Sequence, residues 1–252
     1  MKSSTPKGHK YLTLVYQIDL GVTRLLWIGK ERTIESFQGF FTTMGEEITS
    51  KIVFICSDMW EPYLKVIREK CSEALHILDR FHIVAKMNKA LDEVRAGESR
   101  RMASEGRRPL LKKSRWLLLK REENLKAEQR FRLRDLLRYN LKTVRAYLLK
   151  EAFQQLWDYS SPSWAGKFLD EWCRQTMRSR IAPMKKIARS LRQHRELCLC
   201  RQTCIRALRN GERSSRDKRC DHFTIQVKIL KPSDPRQFKL MGLAVWRCNG
   251  LE

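Results

Sequence analysis

Apolar and polar residues alternate near the start of the chain in the manner of β-strands. Residues 11–18 and 22–28 both show this pattern, and the Asp19-Leu20-Gly21 tripeptide between them can turn. These segments predict a β-hairpin. Thr33 then precedes apolar residues spaced three to four apart, which predicts a capped helix after the hairpin.

A second pattern of short apolar runs and helical segments covers residues 51–88. Residues 52–56 form an apolar run rich in β-branched side chains, which is typical of a strand buried on both faces. Pro62 opens a helical segment, residues 74–78 form a second apolar run, and Val84 begins a further helical pattern. This succession predicts two parallel strands joined by a right-handed helical crossover.

Two aspartates stand where these predicted strands end. Asp58 follows the first strand, Asp79 follows the second, and His82 lies one helical turn beyond Asp79. Ligands gather at the carboxyl ends of strands in open α/β sheets. Either aspartate alone is more simply interpreted as a helix N-cap. Two acids and a histidine at adjacent strand ends favour a metal-assisted site.

Helical periodicity dominates residues 84–197, and it ceases after Leu197. Gly97 and the polar residues 99–109 indicate one break within the helical region. Residues 198–252 are rich in Cys and Arg, and we expect them to be irregular, although residues 224–230 alternate like a strand. Five residues of this tail could be considered as zinc ligands, but their spacing matches no common zinc finger: Cys198, Cys200, Cys204, Cys220 and His222.

The formal net charge of +24, with a pI of about 10.1, indicates a polyanionic partner. Nucleic acid is the first candidate, and an anionic membrane surface or a ribosomal neighbour are the alternatives. No apolar run reaches the ~18 residues of a membrane span. Eight cysteines without an apolar signal segment are typical of reduced thiols, so we expect a cytoplasmic protein.

The basic residues are concentrated on the predicted exposed faces of the helical region. So many charges of one sign repel one another unless a polyanion neutralises them, which favours contact with a phosphate backbone. No motif for reading bases accompanies them. The candidate DNA-binding residues are Arg107, Arg108, Lys112, Lys113, Lys185, Lys186 and Arg189.

Residues 58–95 carry a resemblance to a known family. DMWEPYLKVI, followed by ALHILDRFHIVAKMNKALDEVR, resembles the DDE transposases of bacterial insertion sequences in the ISL-three group. GHKYLTLVYQID upstream and the helical stretch that ends at Leu197 fit the same group. The resemblance covers roughly residues 7–197, and the DRFH segment with its flanks is its most specific part.

The resemblance implies an α/β fold with a partial ribonuclease-H-like mixed sheet and a large all-helical insertion domain. The implied domains are residues 1–83, residues 84–197 and the irregular tail at 198–252. Asp58 matches the family's second acid, so it is the implied catalytic residue and metal ligand. Asp79 and His82 match a D-x-x-H signature and are candidate accessory residues. The implied cofactor is Mg²⁺, bound as a pair of ions that clamp a phosphodiester.

Two acids of the family pattern have no match in this sequence. No acid precedes Asp19, which stands in the hairpin turn, and Glu212 lacks the context of the third acid. We therefore expect a truncated copy whose frame is shifted near residue 197, whose sheet is gapped or re-paired, and which is inactive. The alternative is a non-enzymatic basic protein that binds nucleic acid. The partner is DNA in the first interpretation, and homo-oligomerisation stays open.

Overall fold

The structure, a computed structural model, describes residues 11–19, 22–200 and 223–230. They belong to two units, one made of residues 1–79 and 214–252 and the other of residues 80–213. The domain limits expected from the sequence stay proposals, and the limit at residue 83 falls inside a helix that begins at Arg80.

A five-stranded mixed sheet forms the centre of the first unit. The predicted hairpin is confirmed as an antiparallel pair, and the two predicted crossover strands are confirmed as a parallel pair. The strand order across the sheet is β2-β1-β5-β3-β4. The strands are β1 (Leu12–Asp19), β2 (Val22–Lys30), β3 (Ile52–Ser57), β4 (Leu75–Leu78) and β5 (Phe223–Leu230).

Strand β5 lies between the hairpin and the crossover unit. It pairs antiparallel to β1 and parallel to β3. Of the two expectations, a gapped sheet or a re-paired sheet, the structure shows the re-paired sheet. The alternation of residues 224–230 predicted this strand correctly, because Ile225 and Val227 are buried in the core. Most of the tail for which irregular structure was predicted lies outside the described residues, as do three of the five zinc-ligand candidates.

Helices α1 (Ile34–Thr49) and α2 (Glu61–Lys70) supply the apolar side chains that pack with the sheet in one core. The Thr33 hydroxyl accepts a hydrogen bond from the Ser36 amide, and Pro62 lies in the first turn of α2, as predicted. The prediction that β3 is buried on both faces is wrong at Val53, its second residue, which is 39% exposed. The pairing of β3 with β4 begins only at Phe54, and the register with β5 shifts between Ile52 and Phe54, so Val53 has no partner residue on either strand. The fully buried side chains of this core include Val15, Phe37, Phe40, Ile55 and Tyr63.

The second unit is helical, as the periodicity predicted. Its first helix begins at Arg80 and not at Val84, because Arg80 and His82 alternate with Phe81 and Ile83 and interrupt the helical spacing of apolar residues at its start. The predicted break is confirmed within residues 99–109, because this helix ends at Ser104, but it is wrong at Gly97 itself. Gly97 is exposed within a helix whose flanking residues Leu91 and Met102 are buried, and that packing outweighs the ~1 kcal/mol cost of a helical glycine. The helices are α3 (Arg80–Ser104), α4 (Arg115–Leu119), α5 (Ala127–Leu137), α6 (Lys142–Gln154), α7 (Pro162–Arg178) and α8 (Ala182–Gln193).

Two buried charged side chains join these helices through their ends. The Glu98 carboxylate on α3 accepts hydrogen bonds from the Lys142 and Thr143 amides in the first turn of α6. The Lys150 ammonium on α6 donates to the Leu118 carbonyl near the end of α4 at 2.8 Å. Both contacts satisfy backbone groups that a helix end leaves unpaired. In the described part of the chain, no helix combines the length and the apolar character needed to cross a membrane.

Candidate functional site

Asp58 and Asp79 lie at neighbouring positions on one edge of the sheet. Ser57 and Leu78 are paired at the ends of the parallel strands β3 and β4, and each aspartate is the next residue along its strand. The Asp79 amide donates to the Ser57 carbonyl at 2.8 Å, which continues the ladder by one step. The structure therefore brings together the two acids that the sequence singled out.

The Asp58 carboxylate is engaged through both of its oxygens. Its Oδ2 accepts a hydrogen bond from Arg32 Nη2 at 3.0 Å, and its Oδ1 accepts one from the Trp60 amide at 3.1 Å. The Asp58 side chain is only 16% exposed. The N-cap position of α2 is Trp60, so Asp58 is not the cap that the simpler interpretation expected. Asp58 instead holds the turn that leads into the helix.

Arg32 is a site residue that the sequence reasoning missed. Its guanidinium carbon lies 4.3 Å from the centre of the Trp60 ring, so the group stacks on an aromatic face while it pairs with Asp58. Arg32 follows β2, whose end lies at the same edge as the end of β3, because β1 runs antiparallel to β2 and β5 while β5 runs parallel to β3. That topology was the signal that could have pointed to it.

Gln226 on the central strand β5 is a second residue that was missed. It is 2% exposed, and its Nε2 lies 3.4 Å from Asp79 Oδ2 as a long hydrogen bond. Its Oε1 is buried and has no hydrogen-bond partner among the described residues. The amide thus places one donor on Asp79 and leaves one acceptor uncommitted in the sheet.

A buried hydrogen-bonded pair, Ser57 and His76, lies on the two strands that lead to Asp58 and Asp79. Ser57 Oγ is 2.7 Å from His76 Nε2 and 3.0 Å from the Asp58 carbonyl oxygen. A hydroxyl has one proton, and if Ser57 gives it to the Asp58 carbonyl, His76 Nε2 is the donor to Ser57. The pair joins the last residue of β3 to the second residue of β4, and it restrains the backbone from which Asp58 projects.

The Tyr63 phenol lies close enough to Arg32 and Asp58 for their charges to act on it. Thr13 Oγ1 donates to the Glu31 carbonyl at 2.7 Å, so the Tyr63 hydroxyl is the donor in its short hydrogen bond with Thr13. Burial raises the pKa of the Tyr63 phenol above its ordinary value, an effect that the Thr13 contact opposes. Tyr63 therefore stays neutral and acts here as a hydrogen-bond donor.

Asp19 and His82, which the sequence also singled out, have contacts of their own. Asp19 ends β1 at the opposite edge of the sheet, where its Oδ1 accepts a hydrogen bond from the Thr224 amide at 2.9 Å. His82 lies in the first turn of α3 in the second unit, with its ring edge-to-face against Phe81, and its accessory role stays a prediction. Glu212 lies outside the described residues.

The described residues at this edge do not fit a resident divalent metal. Both oxygens of Asp58 have donors, and the guanidinium of Arg32 places a positive charge beside the carboxylate that a cation would need. Within residues 11–19, 22–200 and 223–230, no three His, Cys, Asp or Glu side chains are grouped for a metal. Metal use is a general property of DDE transposases, whereas Mg²⁺ at Asp58 stays a prediction for this chain.

Helix α8 carries an exposed basic face. Met184, Ile187 and Leu191 are buried on its inner side, whereas Lys186 and Arg189 are exposed on its outer side. Lys185 beside them is half-buried. None of the three cations forms an ion pair within the described residues. The helix therefore presents positive charge that these parts of the chain do not neutralise.

A second group of predicted DNA-binding cations lies in the connection between α3 and α4. Arg107, Arg108, Lys112 and Lys113 are all exposed. Arg107 is partly neutralised, because its Nε lies 2.9 Å from Glu105 Oε2. Six of the seven candidate cations are therefore exposed, and Lys185 is half-buried.

Comparison with known proteins gives the family of this chain. A sequence model of the ISL3-type DDE transposases, described as transposase, matches residues 3–211. The chain belongs to this family, and the resemblance seen in residues 58–95 is confirmed. No solved structure is significantly similar to the chain.

Two curated relatives show the same similarity over most of the chain. The transposase for insertion sequence element IS1001 of Bordetella parapertussis is 29% identical over 245 residues, which is 91% of this chain and 59% of the relative. The transposase for insertion sequence element IS1557 of Mycobacterium tuberculosis is 29% identical over 215 residues, or 76% of this chain and 48% of the relative. The chain thus spans about half the length of these relatives.

Proposed function

We propose that this chain is a transposase-derived protein that binds DNA through its helical unit. Membership of the family supports the origin, and the exposed cations of α8 and of the α3–α4 connection support the contact with DNA. The family reaction is metal-dependent DNA cleavage and strand transfer, for which the edge at Asp58 and Asp79 is the proposed catalytic position. The proposal includes a ribonuclease-H-like descent of the sheet, supported by a central strand parallel to β3.

The single observation that carries the DNA contact is the basic face of α8, whose cations form no ion pair with the residues that the structure describes. Such cations contribute to binding free energy when they replace the condensed ions around a phosphate backbone. Such contacts position a protein on DNA and read no sequence. We therefore propose backbone binding with little sequence preference.

We propose further that this chain does not cleave or join DNA with Mg²⁺ or Mn²⁺. Two closely spaced dications repel each other strongly and require several carboxylates to hold them. The Arg32 guanidinium already neutralises Asp58, and His82 is a poor ligand for a hard cation. A non-enzymatic nucleic-acid-binding protein is the second candidate. The ion pair between Arg32 and Asp58 favours it over an active enzyme, because it occupies the carboxylate that a catalytic metal would need.

Salt-dependent binding to a short DNA duplex, followed by fluorescence anisotropy, tests the DNA contact. The test variant replaces Lys185, Lys186 and Arg189 by Gln. The loss of up to three phosphate contacts should weaken binding and reduce the slope of log K against log salt by about 2–3. The matched control makes the same charge change on α2 of the first unit by replacing Lys65, Arg68 and Lys70 by Gln. Equal losses in the two variants, or binding unaffected by salt, would contradict the proposed surface.

Cleavage and strand transfer on DNA with the terminal repeats of a related element test the catalytic part. We expect no product with either metal ion. Product that disappears in Asp58→Asn would overturn the proposed inactivity and would keep the chain among active transposases. Sequence-selective binding without any product would favour the second candidate.

A further inference from the structure

We infer that Arg32 and a divalent cation compete for the Asp58 carboxylate, so that Arg32 closes this edge of the sheet against metal. This inference rests on the proposed function, because it concerns the edge assigned to catalysis there. The inference gives a role to Arg32, which is not one of the family's acids. Its guanidinium takes the place beside Asp58 that a bound metal ion would otherwise take. The competition follows from the contacts, the charge and the exposure of Arg32.

The contacts place Arg32 on the oxygen that a cation would take. Arg32 Nη2 donates to Asp58 Oδ2 at 3.0 Å, while Oδ1 remains tied to the Trp60 amide. A hard cation that binds Asp58 needs one of these two oxygens. Each carboxylate oxygen has a second lone pair, but Oδ1 is tied into the turn before α2, whereas the donor on Oδ2 is a side chain that can move, so Arg32 and a cation compete for Oδ2.

The charge of Arg32 adds repulsion to this steric competition. A guanidinium within hydrogen-bonding distance of Oδ2 lies within a few ångströms of any ion bound there, at a site where 84% of the carboxylate side chain is shielded from solvent. Like charges at such separations repel strongly away from bulk water. A dication can therefore bind Asp58 well only when Arg32 has moved away.

Arg32 is held firmly enough to compete and loosely enough to leave. Its ion pair and its stacking on Trp60 at 4.3 Å stabilise the closed arrangement. Its contact with Asp58 is through one nitrogen, its Nε has no hydrogen-bond partner among the described residues, and its side chain is 32% exposed. A bidentate, fully buried arginine would have no such route to solvent.

Oxygens next to Asp58 could also bind a divalent cation once Arg32 has moved away. The Asp79 carboxylate lies at the adjacent strand end, and Gln226 Oε1 is an uncommitted buried carbonyl next to it. Carboxylate and amide oxygens are the ligands that hard divalent cations prefer. The edge then offers oxygen ligands from β3, β4 and β5, with Asp58 as the ligand whose availability Arg32 controls.

Direct measurement of Mn²⁺ binding to the full chain, by the loss of the free-ion electron paramagnetic resonance signal, tests the inference. If the ion pair leaves Asp58 free about a tenth of the time, Arg32→Gln should bind Mn²⁺ about tenfold more tightly than the unaltered chain. Arg32→Lys, which keeps the charge, should give less than a twofold gain. The gain should vanish when Arg32→Gln is combined with Asp58→Asn.

Arg68→Gln is the matched control, because it removes an arginine that pairs with Glu61 on the surface of the same unit. It changes the net charge equally and should leave Mn²⁺ affinity unchanged. A gain in Arg68→Gln equal to that in Arg32→Gln would show a general charge effect and overturn the inference, as would a gain that persists without Asp58. Circular dichroism of each variant establishes that it is folded. The DNA-binding assay described under the proposed function tests that function separately, so the two can fail independently.

Discussion

Removal of the Glu98 carboxylate should destabilise the helical unit more than any other single change of an acid on α3. Glu98 is 6% exposed, and it lies at the start of α6, whose own N-cap residue Leu141 provides no side-chain hydrogen bond. Glu98 Oε1 accepts from the Lys142 amide at 3.0 Å, and Oε2 accepts from the amide and hydroxyl of Thr143, both at 2.7 Å. One helix thus caps another.

The magnitude follows from the donors that would be left behind. Thr143 is fully buried, so Glu98→Ala leaves its amide and its hydroxyl without a partner, at about 1–3 kcal/mol for each group. The Lys142 amide is only partly buried and can bind water in compensation. We expect a loss of about 3 kcal/mol for Glu98→Ala, and about 1–2 kcal/mol for Glu98→Gln, which keeps one acceptor.

Urea unfolding followed by circular dichroism measures this loss. With a typical dependence of ~2 kcal/mol per molar urea, Glu98→Ala should lower the midpoint by about 1.5 M. Glu93→Ala on the exposed side of the same helix is the matched control and should shift it by less than about 0.3 M. Combination of Glu98→Ala with Thr143→Val should cost less than the sum of the two single changes, because the second removes a donor that the first had orphaned. Equal shifts for Glu98→Ala and Glu93→Ala would refute the capping argument.

Three further outcomes are expected from the packing. Gly29→Ala places a methyl group in a clash with Ser36 Oγ and should cost about 1–3 kcal/mol in urea unfolding, part of which Ser36→Ala should recover; no recovery would contradict the clash. Lys150→Met leaves a buried backbone carbonyl unpaired and should cost about 1–3 kcal/mol by the same assay, whereas unchanged stability would show that water or another donor replaces the ammonium. Burial raises the pKa of Cys71 to about 11 and that of Cys198 to about 12, so the thiolate forms are scarce at pH 8. Iodoacetamide should then label both residues at pH 8 far more slowly in the folded chain than in urea, as read by mass spectrometry, and equal rates would contradict the burial.

The elements that the sequence predicted correctly are those defined by local periodicity. Alternation over residues 11–28 and the apolar runs at 52–56 and 74–78 are properties of neighbouring residues, and burial of one face fixes them as strands. The position of β5 in the sheet could not be predicted from local periodicity. Its alternation was visible, but Leu12 pairs with Leu230, and no local rule selects a partner so far along the chain. The competition among all available strand edges decides it.

The candidate site was predictable in the same partial way. Asp58 and Asp79 follow apolar runs, so the sequence alone placed them at strand ends. Arg32 is one of many arginines, and only the arrangement of the strands shows that the segment after β2 ends beside Asp58. Gln226 was hidden for the same reason, since its neighbour Asp79 is distant in sequence. Charge partners are chosen by tertiary structure, which composition does not encode.

The partners of the charged side chains differ between the two acids at the strand ends and the cations of α8, and this difference assigns DNA binding to the helical unit. Asp58 has its cation in Arg32, and Asp79 has a donor in Gln226, and both partners belong to the same unit as the acids. The outer cations of α8 have no such partners in the described chain and depend on a polyanion for neutralisation. Arg32→Gln should therefore open Asp58 to cations while it changes the salt dependence of DNA binding by less than one phosphate contact. A larger loss of DNA affinity in Arg32→Gln than in the α8 triple variant would mean that DNA engages the edge of the sheet directly, and the assignment of DNA binding to the helical unit would then be wrong.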